Sequence, residues 1–175
     1  MDVVQSDPCW PAHYAAEAER LGSAFGRVLR KTEHVGSTSV PGLAAKPVID
    51  IMVAVESPSG AEARLPALRD LGYVIIPTDM PARLFLQKAA TEDCLAANLH
   101  IVTLASWPSR KERLFRDRLI AHPEEAAAYG ELKRILIGQY NDLGDYTRAK
   151  TALIQEIMDR VADEAGTPRE SVWEE

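Results

Sequence analysis

Gly36 and Ser37 open a polar bend, and Asp50 stands alone inside the apolar run Pro47-Val48-Ile49-Asp50-Ile51-Met52-Val53-Ala54-Val55. A glycine at such a bend lets backbone N–H groups come close to an anion, and the serine hydroxyl adds a donor, so the bend suits phosphate. Thr38 and Ser39 extend the run of hydroxyls. Twelve residues separate Ser37 from Asp50, enough chain to bring the carboxylate back to the same end of a sheet. Phosphates beside a carboxylate suggest Mg2+, a hard cation that takes oxygen ligands and neutralises a departing pyrophosphate. Lys46, between the two, offers a mobile positive charge.

These residues need elements to hold them. The run around Asp50 is β-branched and apolar on both faces, as in a central strand. Upstream, apolar residues from Tyr14 to Leu29 recur every three or four positions after Trp10-Pro11, which predicts a helix with proline in its first turn. His34 to Leu43 is a loop flanked by strands. Ser59–Leu71 reads as an amphipathic helix closed by Gly72, and Tyr73–Ile76 as a strand, with Pro77 and Pro81 bracketing the following turn. Arg83–Lys88 and Asn98–Leu104 read as an antiparallel pair, and Arg83 and Lys88, of opposite parity, cannot both face one cleft. Helices follow over 110–121, 124–140 and 145–165, with a loop at 141–144. The order predicts an α/β (α+β) fold, a mixed sheet flanked by helices with a C-terminal helical layer. Residues 1–165 form one domain in this reading, and 166–175, with Pro168 and three glutamates, a flexible tail.

At 175 residues, 46% hydrophobic and 26% charged, the chain has ordinary globular composition, which excludes collagen-like and disordered classes. Its 26 acidic and 20 basic side chains leave a net charge of -6, the wrong sign for steering toward bulk nucleic acid. Cys9 and Cys94 are too few for a disulfide framework or a four-ligand zinc site. No basic and apolar leader and no apolar run of about 20 residues is present, so the expectation is a cytoplasmic protein away from membranes.

An apolar residue, then Gly-Ser, a dozen residues and an Asp in an apolar strand resembles the nucleotidyltransferase superfamily signature, here Val35-Gly36-Ser37 and Ile49-Asp50-Ile51. The longer string from His34 to Ile51 strongly resembles the GrpB family of nucleotidyltransferase-fold proteins. Trp10-Pro11, Leu99-His100-Ile101, Phe115-Arg116-Asp117-Arg118-Leu119, His122-Pro123, Tyr129, Lys133, Tyr146 and Lys150 also match its pattern, so the likeness spans roughly residues 4–162. The resemblance implies a nucleotidyltransferase-like fold binding ATP or another NTP with Mg2+ and transferring a nucleotidyl group to, or activating, a small acceptor. Gly36 and Ser37, with Thr38 and Ser39, would then hold phosphates, Asp50 the metal, and Lys46 with Arg83 or Arg116 would balance phosphate charge. His100 would be a general base or acceptor ligand, and Tyr129 and Lys133 would join the substrate site. One position departs from the superfamily: Met52 stands where a second carboxylate is usual, and a thioether is a poor Mg2+ ligand. The alternative is therefore a catalytically degenerate domain that binds an anionic metabolite or a partner protein.

Plainer readings compete with each of these. Gly36 serves any turn that needs positive φ, with Ser37 and Thr38 as caps. Asp50 serves equally as a buried carboxylate that ties the loop in place. Lys46 before Pro47 reads as a solvated residue, and His34 and His100 as satisfied strand histidines. The cluster Arg110, Lys111, Arg113, Arg116 and Arg118 reads either as a solvated helix face or as an anion receptor.

Overall fold

The computed structural model describes residues 3–78, 83–137, 139 and 143–172. Its helices are α1 (Trp10–Phe25), α2 (Pro58–Glu62), α3 (Leu65–Asp70), α4 (Lys111–Ala121), α5 (Pro123–Ile137) and α6 (Leu143–Ala165). Its strands are β1 (Lys31–Val35), β2 (Val48–Val55), β3 (Tyr73–Ile75), β4 (Leu84–Lys88) and β5 (Ala96–Thr103). They form one sheet in the order β1-β2-β5-β4-β3, with β2 and β5 parallel and the other pairs antiparallel. The mixed sheet and the antiparallel β4–β5 pair agree with the sequence reading.

Alternation along β2 and β5 sorts their side chains between two faces. Ile49, Ile51, Val53 and Val55, with Ala97, Leu99 and Ile101, pack against Trp10, Leu21 and Phe25 of α1 and Leu68 of α3. Each fully buried Ile or Leu there contributes roughly 1.5–3 kcal/mol. The other face carries Asp50, Met52 and Ala54 beside Asn98, His100 and Val102, because Asp50 lies opposite Asn98 and Met52 opposite His100. Half of it is dry, with Met52, Ala54 and Val102 buried together with Val35 and Trp107. The rest is covered by the C-terminal helices, whose Leu119, Tyr129 and Ile157 pack on Val40 and Leu43 of the loop.

The α1 face holds one buried carboxylate, Glu17. It accepts hydrogen bonds from Tyr73 (2.9 Å), Lys88 (2.9 Å) and Arg20 (2.8 Å). Burial pushes its pKa up, but these donors outweigh burial and hold it below the usual carboxylate range. Lys88 therefore points away from the face that Arg83 serves, as their parity predicts.

Three segments differ from the sequence reading or extend it. The single helix expected over Ser59–Leu71 is two short helices, α2 and α3, joined at Ala63 and Arg64. Pro66 explains the break, since it has no N–H to donate to the Glu62 carbonyl and its ring would crowd that carbonyl. The first helix stops at Phe25, where Gly26 takes φ 55° and a single 3-10 turn follows. Residues 166–172 run back beside α6, where Val172 N–H donates to Gln155 Oε1 (2.8 Å) and Gln155 Nε2 to the Glu170 carbonyl (2.9 Å). Pro81, Tyr140, Asn141, Asp142 and residues 173–175 lie outside the described residues. No helix among those described is long and apolar enough to cross a membrane.

Candidate functional site

The bend after β1 and the carboxylate on β2 are in contact. Gly36 has φ 72° and ψ -175°, and a Cβ added there would sit 2.3 Å from Asp50 Oδ2. Only glycine takes that backbone easily, and only glycine leaves room for the carboxylate. The bend is braced from within. The Thr38 hydroxyl donates to the Val48 carbonyl (3.1 Å), so its oxygen accepts from His34 Nε2–H (2.9 Å). Ser39 Oγ donates to the Gly36 carbonyl (2.5 Å). Of the bend's three hydroxyls, Ser37 is the one that faces both hollows of the cleft and the Tyr129 phenol.

Asp50 is half-buried and is oriented by its strand neighbours. Gln87 Nε2 donates to Asn98 Oδ1 (3.1 Å), and Asn98 Nδ2 donates to Asp50 Oδ1 (2.7 Å), a chain running across β4, β5 and β2. Burial pushes the carboxyl up to about 6, against the Asn98 bond and the positive field of Lys150 and with the help of Glu112. Sequence reasoning missed Asn98, whose one local signal is its shared parity with His100.

His100 belongs to a different network. Its Nδ1 lies 3.1 Å from Arg83 Nη1, a group that only donates, so the ring's proton sits on Nε2. Burial pushes this histidine down to about 4, and Glu112 opposes that. In this tautomer the ring offers a donor. Arg83 also pairs with Glu112, another residue the sequence did not single out. Arg116 pairs with Glu33 (2.6 Å) and Asp117 (2.6 Å) and donates to the His34 carbonyl (2.8 Å), while Arg113 shares Glu33 (3.0 Å). Arg113 and Arg116 of α4 are thus held by the first strand.

The lysines differ. Lys46 and Lys150 flank the Tyr146 ring at 4.7 and 4.4 Å, and buried Lys133 lies 4.8 Å from the Tyr129 ring and donates to the Ala44 carbonyl (2.5 Å). Among the described residues none of the three has a carboxylate ion-pair partner. Burial, then the neighbouring ammonium, pushes Lys133 down to about 7 and Lys150 to about 8; burial also lowers Lys46.

Two hollows meet here. One, about 610 Å³, is lined by Thr38, Lys46, Asn98 and Lys133, and the other, about 410 Å³, by Val40, Arg83, His100, Arg116 and Tyr129. Ser37, Asp50 and Lys150 line both. Of the residues to which the sequence reading gives a place in the site, all except Ser39 line one hollow or the other, whereas His34, Arg110, Arg113 and Arg118 line neither.

The donor set admits one hard cation and not two. Asp50 supplies one carboxylate, and Mg2+ commonly binds through one or two carboxylates with the remaining oxygens from phosphate and water. The next position on that face, Met52, is fully buried and offers sulfur. Among the described residues the acidic and histidine group with ligand spacing is His122, Glu124 and Glu125, away from the cleft, and Glu125 is already bound by Arg118 and Arg160.

Comparison with known proteins agrees with this architecture. The family model described as GrpB protein matches residues 1–160. A UPF0157 protein of Pseudomonas aeruginosa is 37% identical over 163 residues, covering 91% of this chain and 67% of its own. The crystal structure of conserved protein GrpB from Enterococcus faecalis superposes with TM-score 0.84 at 28% identity, over 94% of this chain and 99% of that one. Terminal uridylyl transferase 4 from Trypanosoma brucei, with bound UTP, gives TM-score 0.53 at 13% identity over 91% of this chain and 52% of its own, a likeness of fold.

Proposed function

The chain belongs to the GrpB family, and from that premise we propose that its nucleotidyltransferase-like cleft binds a nucleoside triphosphate with Mg2+ and transfers a nucleotidyl group to, or activates, a small acceptor. The observation that carries this reading is the junction at Asp50. A glycine-serine bend presses on one carboxylate there, beside three ammonium groups that have no carboxylate ion pair among the described residues. Three buried or half-buried ammoniums facing the one carboxylate of Asp50 favour an anion of high charge, and a triphosphate supplies it.

In this reading the phosphates lie in the lysine-lined hollow. The Gly36–Ser37 bend contacts them, and Lys46, Lys133 and Lys150 balance their charge. Asp50, oriented by Asn98, would hold the single Mg2+, which when bound polarises the phosphoryl group and offsets charge on the pyrophosphate. Arg83 and Arg116 shape the wall, since their charges are met by Glu112 and Glu33. His100 donates a hydrogen bond to the substrate and keeps its proton.

Met52 favours a second reading, binding without transfer, because one carboxylate cannot hold the pair of ions that activates both nucleophile and leaving group. Titration with ATP and Mg2+, followed by a pyrophosphate-release assay, separates the two. Turnover abolished by Asp50→Asn supports transfer. Saturable binding without pyrophosphate supports the second reading, and no binding to either protein removes both.

A further inference from the structure

The two hollows that share Asp50 differ in how their charges are met. Around the smaller one, Arg116 is held by Glu33 and Asp117, Arg83 by Glu112, and Lys111 donates to the Ser171 carbonyl. Lys150, at the junction, is the exception. An anion held by Arg83, Arg116 or Lys111 would have to break one of those contacts, which its own binding would need to offset. Val40, Leu119, Ile154 and Met158 form an apolar wall, while Ser37, His100, Tyr129 and Thr147 bring uncharged polar groups to the same space. Glu112 Oε2 is buried, closed to the hollow and paired with Arg110 Nε at 3.5 Å, so the polar group left to a ligand on this wall is His100, whose Nδ1 faces Arg83 and whose Nε2 carries the proton. A ring N–H of this kind can donate to a ligand oxygen.

We infer that the hollow under α4 and α6 is a subsite for an uncharged, hydroxyl-bearing organic body, with its apolar part against Leu119 and Ile154 and a hydroxyl within reach of His100. A volume of about 410 Å³ is that of a small-molecule pocket. Two sources carry this chemistry: the nucleoside half of the nucleotide, or a separate alcohol acting as acceptor. The inference deepens the proposed function and rests on it only for the phosphate half, since the uncharged body has its own walls.

The test uses the full chain, with thermal melts to show that each variant is folded. Ile154→Trp fills the smaller hollow, with Ile154→Phe as the milder replacement if the first does not fold, and Lys133→Met discharges the larger one. Tripolyphosphate, adenosine and benzyl alcohol are titrated separately and together. At least one uncharged probe is expected to weaken roughly tenfold or more in Ile154→Trp and to hold its affinity in Lys133→Met. Tripolyphosphate is expected to do the reverse, and the two are expected to bind at the same time. ATP then identifies the source. Weakening in both variants names the nucleoside, and weakening in Lys133→Met alone names a separate acceptor. Uncharged probes that do not bind the wild type, or that bind Ile154→Trp and Ile154→Phe equally well, overturn the inference, as does loss of tripolyphosphate in Ile154→Trp. If tripolyphosphate fails to bind the wild type while an uncharged probe still depends on Ile154, the phosphate reading falls and this subsite stands.

Discussion

Replacing Asp50 by asparagine should make the protein more stable at neutral pH. The side chain keeps its size, and its amide oxygen can still accept from Asn98 Nδ2, which now donates to Asp50 Oδ1 at 2.7 Å. What disappears is a charge held in a poorly solvated place. The folded carboxyl sits at about 6 against an ordinary 3.8, and that gap corresponds to about 3 kcal/mol. The sign follows from which state keeps the proton. Between 3.8 and about 6 the folded protein holds a proton that the unfolded chain has released. Stability therefore falls as pH rises through that window, and the cost is complete above it. Asp50 is half-buried and opens onto two hollows, so water offsets part of this ceiling and leaves a gain of about 1–2 kcal/mol for the variant near pH 7.5. For a chain of this length that is a rise of about 2–8 °C in melting temperature. Urea and thermal unfolding of both proteins near pH 7.5 and near pH 4 make the comparison, with the difference expected to vanish at the acid end. An asparagine variant less stable than the parent at pH 7.5 would refute the reasoning and make Asp50 a structural tie for the bend.

Gly36→Ala combines backbone strain with a Cβ 2.3 Å from Asp50 Oδ2, and urea unfolding should register a loss of roughly 2–4 kcal/mol; a loss below about 1 kcal/mol would contradict the close packing of bend and carboxylate. In the proposed reading Lys133 and Lys150, at about 7 and about 8, hold anions in their protonated forms. Tripolyphosphate affinity should therefore be highest at about pH 6 and decline toward about pH 9, with the lower part of that decline absent in Lys133→Met, and a flat profile by calorimetry would contradict the lysine-lined anion site.

Much of the frame was legible because it is periodic. Alternation sets Asp50 and Met52 on one face of their strand and Asn98 and His100 on one face of theirs before any partner is known. The motif around Gly36 and Ser37 is local too, since the positive φ and the carboxylate contact fall within a few residues of one strand end. What local pattern cannot supply is register between distant strands and the rotation of packed helices. Asn98 reaches Asp50 across 48 residues, and Arg116 reaches the His34 carbonyl across 82. Those contacts turn an arginine that reads as a phosphate receptor into one already held by β1. Lys46, Lys133 and Lys150 were each legible as residues, but their convergence was not, for the same reason. Lys46 comes from a loop, Lys133 from α5 and Lys150 from α6, and only the packing of these three segments brings two of the ammoniums to a single tyrosine ring. The break at Pro66, by contrast, was readable and was passed over, because the apolar period on either side of it continues.

Met52 connects the fold to the limits of its chemistry. It lies with Val35, Ala54, Val102 and Trp107 in the dry half of the sheet face, with none of its surface exposed. A carboxylate at that position would be buried among apolar groups, and its desolvation would cost several kcal/mol unless a metal or a cation met it there. The nearby cation, Arg83, is taken by Glu112 and by His100. Packing therefore decides the ligand count: the same strand that presents Asp50 to the cleft closes over the position that would carry a second acid. In the proposed reading, charge that a two-ion centre would neutralise with metal is met by lysines from the loop and the C-terminal helices. A cleft built this way gains its hold on an anion from protonated amines, so its occupancy should follow pH through Lys133 and Lys150 more steeply than it follows Mg2+ concentration.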